Sequence, residues 1–239
     1  MMAAGALLDD YQDVRLPRGL GGIFYGVYPA IVTGIKDDAG QGRIRVKLPW
    51  SPDGKNNGYE TWARVATLMA GNNRGSWIMP DKNDEVLVAF AGGNPAAPFV
   101  IGMLWNGQDQ PPQSMDGAES NDIKKIRSRN GVAITLDDKQ GQEQFIVETP
   151  GGQTITLKDG PGSIEIKDQN GNTVTLDTSG VSVQTGSTVQ VQASSVTITA
   201  GDVTVNAGTS TFSGTVIATT LVATSVVGTT YTPGAGNMW

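Results

Sequence analysis

The sequence predicts an all-β protein in two parts, a small Greek-key barrel followed by an intertwined β-helix or β-prism built from three chains. Three observations carry this. Over residues 151–230, short segments of valine, isoleucine and threonine recur at intervals of seven to ten residues. Over residues 25–105, apolar runs alternate with turn sequences, and no amphipathic helical pattern intervenes. Charge also disappears toward the C-terminus: the last basic residue is Lys167, and beyond residue 180 the only charged side chain is Asp202.

The rear repeats place pairs of apolar residues two positions apart: Ile155/Leu157, Ile164/Ile166, Val174/Leu176, Val181/Val183, Val189/Val191, Val196/Ile198 and Val203/Val205. Gly, Asn, Asp, Ser or Thr fills the intervals, the pattern of strands with one buried face separated by turns. Each unit reads as one strand and one corner. The spacing settles at seven residues (Val189, Val196, Val203) and then tightens into VIATT, LVATS and VVGTT from residue 216 onward, as in a prism that tapers. Strand repeats of fixed period point to a solenoid rather than a sandwich. A repeat holding a single strand cannot close around its own core, so three chains sharing one axis are expected, with these fourteen aliphatic residues forming the core. About ten strands stacked at roughly 4.8 Å give a shaft on the order of 50 Å long.

In the front half, YGVYPAIVTGI, RIRVKLPW, TWARVATLM, WIMP, NDEVLVAF and FVIGMLW read as strands. DDAGQG (37–42) and Gly92-Gly93-Asn94-Pro95 supply hairpin turns between them. Five or six strands in about eighty residues fit a small Greek-key barrel. Trp50, Trp62, Trp77 and Trp105 are expected in core and barrel-end packing.

Composition narrows the chemistry. The 239 residues contain no cysteine and no histidine, which leaves no thiol nucleophile, thiolate or imidazole metal ligand, or Ser-His-Asp triad. A net charge of −6 disfavours nucleic-acid binding by the chain as a whole. Asp84-Glu85 and Asp137-Asp138 are adjacent in strands and point to opposite faces, a poor arrangement for paired catalytic carboxylates. Asp168-Gln-Asn-Gly-Asn172 lacks the spacing and the terminal Glu of an EF-hand loop and reads as a turn. Lys124, Lys125, Arg127 and Arg129 form a basic cluster ahead of a first repeat strand at 132–136, where cross-subunit pairing with acidic residues is expected. No enzyme activity, cofactor or metal is expected. The opening MMAAGALLDD lacks the positive start and the length of a secretory signal.

The blocks GRIRVKLPW (42–50), TWARV (61–65), AGNNRGSWIMP (70–80), NDEVLVAF (83–90) and PAAPFVIGMLWNG (95–107) occur in an order that resembles the OB-fold domain of one family. That family comprises the central spike proteins of contractile phage tails and injection systems, namely the baseplate V and VgrG proteins. The resemblance covers about a third of the chain, and the β-repeat follows where the family places its trimeric spike. It implies a homotrimeric needle on the inner tube and baseplate, assembled in the cytoplasm and driven transiently through a target membrane by sheath contraction.

The implied organisation is a hub-contacting segment at 1–22, the OB barrel at 23–107, a linker at 108–122, the trimeric spike at 123–232 and a distal tip at 233–239. Many VgrG proteins carry a large hub domain ahead of the barrel, so a separate hub protein is expected here. The short linker leaves no space for the lysozyme domain of one phage form, and the absence of histidine excludes an iron-binding tip of the kind some relatives have. Tyr231, Pro233, Met238 and Trp239 are expected to meet a PAAR-like tip protein. Two other classes compete: an OB-fold oligonucleotide or oligosaccharide binder, and a trimeric adhesin or tail fibre, which would need a receptor-binding head after the shaft.

Overall fold

The computed structural model describes residues 23–51 and 58–230. The expected hub-contacting segment and the tip residues Tyr231, Pro233, Met238 and Trp239 lie outside the described residues.

The front part is a closed barrel of five main strands: β1 (Val27–Gly34), β2 (Arg43–Leu48), β3 (Tyr59–Val65), β6 (Glu85–Phe90) and β7 (Pro98–Leu104). A two-rung hairpin, β4 (Ala70–Gly71) and β5 (Arg74–Gly75), projects between β3 and β6. The order around the barrel is β1-β2-β3-β7-β6. All neighbours are antiparallel except β3 and β7, which run parallel and close the sheet at Arg64/Phe99 and Val65/Val100. This is the Greek-key order of an OB-type barrel.

Strict alternation builds the core. In β2, Ile44, Val46 and Leu48 are fully buried while Arg43, Arg45 and Lys47 point outward; Val86, Val88 and Phe90 of β6 repeat the pattern. Ala30, Val32, Ala63, Val100 and Phe24 complete the cluster. Each large aliphatic side chain buried in this way contributes about 1.5–3 kcal/mol.

The two turns read from the sequence are present, and each has a specific cause. The Asp37 carboxylate accepts hydrogen bonds from the backbone N–H groups of Ala39, Gln41 and Arg43 and from the Arg43 guanidinium, which donates through Nη2 at 2.8 Å. Hydrogen bonding from Arg43 holds this carboxyl well below the usual carboxylate range. Gly93 in the β6–β7 turn has φ +79°, and a Cβ there would collide with Ile23, whose neighbour Phe24 donates its N–H to the Gly93 carbonyl.

The tryptophans depart from expectation, and none of the four is buried. Trp50 does pack at the barrel end, stacked on Tyr28 with centroids 4.9 Å apart and its indole N–H donated to the Pro29 carbonyl. Trp62 lies on the outer surface of β3 beneath the guanidinium groups of Arg43 and Arg45, at 5.5 and 6.0 Å. Trp77 covers the α-carbon of Gly42 and is otherwise exposed, as is Trp105. Outward-facing strand positions, with cations to lie over the ring, hold Trp62 where a hydrophobicity argument would have it inside.

Residues 108–122 carry no strand. Seven strands follow: β8 (Ile123–Arg127), β9 (Ala133–Asp137), β10 (Gln144–Glu148), β11 (Thr154–Lys158), β12 (Ser163–Lys167), β13 (Thr173–Asp177) and β14 (Gly180–Gln184). They form one antiparallel meander in chain order. The reading of one strand and one corner per unit therefore needs correction over this stretch, because each strand folds back on the previous one and the repeating unit is a hairpin. Three turns on one edge share a single design, with the N–H groups of Gly131, Gly152 and Gly171 donating to the carbonyls of Ser128, Thr149 and Asp168. The Asp168-Gln-Asn-Gly-Asn172 segment is one of these turns. Its carboxylate, although partly desolvated, is held below the ordinary range by hydrogen bonds from Asn172 and Asn170.

The chain divides into two compact units at residue 188. In the second, the described residues 189–230 contain no strand paired within the chain.

Candidate functional site

Strand register sorts the side chains of the rear sheet onto two unlike faces. One row runs Leu136, Phe145, Leu157, Ile164, Leu176, Val181 across six successive strands. A parallel row runs Ile126, Ile134, Val147, Ile155, Ile166, Val174, Val183 across all seven. The opposite face carries Lys125, Thr135, Thr156, Glu165, Thr175 and Ser182, with Ile146 as its one large aliphatic side chain in that row. At about 4.8 Å per strand spacing the six-strand row is roughly 24 Å long and the seven-strand row roughly 29 Å.

In the single chain the apolar face is open. Leu157 is 42 % exposed, Ile166 46 % and Val181 70 %, whereas Val46 and Val88 of the barrel, with the same alternation, are 0 % exposed. A contiguous apolar surface of this extent is far beyond what isolated side chains scattered over a soluble surface present.

The second unit has the same property in more extreme form. Val189, Val191, Val196, Ile198, Val203 and Val205 are each 59–73 % exposed, and Phe212, Leu221 and Val226 stand out equally. Backbone amides and carbonyls of extended segments need partners, and none of the backbone hydrogen bonds among described residues beyond Gln184 joins two strands.

All eight predicted core residues from Ile155 to Val183 share one face of the sheet, and the six from Val189 to Val205 belong to the second unit. Sequence reasoning missed Ile126, Ile134, Leu136, Phe145 and Val147 as members of the same face. The Phe145/Val147 pair was hidden because Ile146 between them is also apolar, although it points to the polar side opposite Thr135 and Thr156.

The basic cluster also reads differently. Lys124, Lys125 and Arg127 sit on β8, a strand ahead of the one expected to come first. Lys124 pairs with Asp138 at 2.7 Å, Lys125 with Glu148 at 3.1 Å and Arg129 with Asp81 at 2.6 Å. These partners lie in the same chain, because the antiparallel meander brings β8 beside β9 with β10 one strand further on, and the Arg129 turn beside the barrel. The acidic pairs serve turns and ion pairs: Asp84 accepts the Asp81 N–H, Glu85 accepts from Asn106, and Asp137 accepts the Lys139 N–H.

A second surface is chemically distinct. On the outside of β2, β3 and β7, Arg43, Arg45 and Arg64 flank Trp62 and Phe99. Two of those cations are already engaged, Arg43 with Asp37 and Arg45 with Glu60. Among the described residues no cluster of three or more His, Cys, Asp or Glu is arranged to hold a metal ion.

Residues 28–105 match the type VI secretion system/phage-baseplate injector OB domain, and residues 144–211 match the phage baseplate V C-terminal trimerisation domain. The chain is 29 % identical over 147 residues to the type VI secretion system spike protein VgrG1b of Pseudomonas aeruginosa, an alignment covering 57 % of this chain and 20 % of that protein. It is 29 % identical over 158 residues to VgrG1a of the same organism, covering 61 % and 25 %. It is 27 % identical over 110 residues to the actin cross-linking toxin VgrG1 of Vibrio cholerae, covering 44 % and 10 %. The matched region thus spans a quarter or less of each of these relatives.

Proposed function

We propose, for a chain that belongs to the baseplate V and VgrG spike family by its injector OB domain and its trimerisation domain, that three copies assemble into a membrane-puncturing spike. The carrying observation is the apolar face of β8–β14, open in one chain; in the separate second unit, the described residues 189–230 lack in-chain strand partners. Three such faces turned toward one axis bury both ladders, and the extended rear segments complete one another's hydrogen bonds as they wind together. The two rows hold thirteen apolar side chains per chain, and covering the part of each that is still exposed contributes a share of the about 1.5–3 kcal/mol that full burial gives.

Function follows from stiffness. In such a rod, local opening must break hydrogen bonds between chains and wet the shared core at the same time, so axial load finds few soft modes. The rear surface carries hydroxyls and amides with one carboxylate, Asp202, after residue 180, so it enters a bilayer or a cell-wall mesh with little ionic desolvation. The OB barrels form the collar that meets a hub, the inner tube and the baseplate, and the distal end accepts a PAAR-like tip protein. The particle assembles in the cytoplasm, and the spike reaches the target envelope on firing.

The test uses contractile particles assembled with the full chain or with a chain ending at Gln184. Triggered particles of both kinds are expected to contract their sheaths, and only the full-length spike to make target envelopes leak dye. Equal leakage from both overturns the reading.

The cation–aromatic surface around Trp62 supports a second reading, since OB folds bind single strands on this side of the barrel. Fluorescence anisotropy with labelled single-stranded DNA at low salt tests it. The pairing of Arg43 and Arg45 with carboxylates, together with the net charge of −6, predicts no saturable binding.

A further inference from the structure

Where the sheet meets the barrel there is an open cleft of about 930 Å³. From the barrel side it is lined by Trp77, Ile78, Met79 and Met103, and from the sheet side by Ile126 and Ile134. Trp77 and Ile78 are 77 % and 61 % exposed, Met103 47 % and Ile126 62 %. The Arg129–Asp81 ion pair ties the β8–β9 turn to the barrel at 2.6 Å and borders the cleft.

Ile126 and Ile134 are not isolated residues. They are the upstream end of the row that continues through Val147, Ile155 and Ile166, the row a trimer has to cover. A neighbouring chain that covers Val147 reaches Ile134 and Ile126 within two strand spacings, about 10 Å. Stopping short would leave a wet gap between two apolar walls. The two methionines provide flexible, polarizable surface that conforms to an inserted group. The two rim carboxylates are committed, Asp81 to Arg129 and Asp84 to the Asp81 N–H, while Lys82 and Arg127 at the rim have no ion-pair partner among the described residues.

We propose that in the assembled protein this cleft is filled by the adjacent copy of the chain, so that the subunit interface begins on the barrel, at Met79 and Met103, ahead of the matched trimerisation domain at 144–211. The inference rests on the trimeric reading above and extends it to a surface that the trimerisation domain does not include. Barrel and shaft then move as one body, because each barrel is wedged by its neighbour as well as tied by Arg129.

The absence of cysteine makes a direct test available, since an introduced thiol is the only one in the chain. Met103→Cys, Ile126→Cys and, as an exposed control on the barrel, Lys36→Cys are prepared in the full chain; the Lys36 side chain is 90 % exposed. In purified trimers the two cleft thiols are expected to react with a maleimide at least about tenfold more slowly than the control, the protection a closed interface gives against local opening. Cleft thiols that react at the control's rate in a protein of trimeric mass overturn this inference and leave the trimer standing. A monomeric mass overturns the trimeric reading itself. Should Met103→Cys fail to assemble, Ile78→Cys, at a position 61 % exposed in the single chain, reports on the same wall.

Discussion

The barrel and the rear sheet use the same alternation of aliphatic and polar residues and treat it in opposite ways. In the barrel, Ile44, Val46 and Val88 face one another across a closed cylinder and are inaccessible to solvent. In the rear sheet, Leu157, Ile164 and Ile166 alternate just as regularly and face outward in the single chain. The difference is closure. The β3–β7 pairing at Arg64/Phe99 brings the front strands round into a cylinder, while β8 and β14 remain the free edges of a meander. Period-two patterning specifies that a face is buried and leaves open whether the same chain or another one buries it.

Breaking the comparison gives the largest effect. Leu157→Asp puts one carboxylate per chain into the shared core and should cost several kcal/mol per subunit, enough to abolish the trimer. Its neighbour Thr156, on the polar face beside Glu165, should accept lysine with little change. Size-exclusion with light scattering on Leu157→Asp and Thr156→Lys checks both, and equal behaviour of the two would remove the distinction between the faces.

The converse perturbation sharpens the comparison. Ile44→Ala hollows the closed barrel and should destabilise it by about 2–5 kcal/mol while leaving the shaft's association intact. Calorimetry should show the first transition lowered, and light scattering below that temperature should still return a trimeric mass.

The smallest effect concerns pH. The Asp37 carboxyl is depressed below its unfolded value near 3.9 by the Arg43 contact, so the folded state favours the charged form. Its contribution is fully present above the unfolded pKa and is lost as pH falls below it toward the folded one. Wild type should therefore exceed Asp37→Asn in barrel stability by a constant margin down to about pH 4, and the margin should shrink in stronger acid. Denaturant midpoints at pH 7, 4 and 2.5 measure it, and a gap that widens in acid would contradict the assignment.

Much of this architecture was legible from residues alone, for reasons that can be named. Asp37 to Gly42 and Gly92 to Pro95 carried turn chemistry specific enough to place two hairpins, and the aliphatic pairs from Ile155 to Val183 marked one face. The direction of pairing was not legible, because alternation is the same for a strand that winds onward and one that folds back. The signal that could have separated them is the glycine of the shared turns, Gly131, Gly152 and Gly171, spaced at about two strands rather than one. Strand β8 was obscured by its charges, Lys124, Lys125 and Arg127, and the exposed positions of Trp62 and Trp77 follow from tertiary neighbours that no local pattern contains.

The most direct measurement is the molar mass of the full chain in dilute buffer, taken together with amide exchange over residues 189–230. The account predicts three times 25.0 kDa, with those rear amides protected as in a closed sheet. A folded species of 25.0 kDa whose rear amides are protected would contradict it, since one chain would then have closed that core by itself.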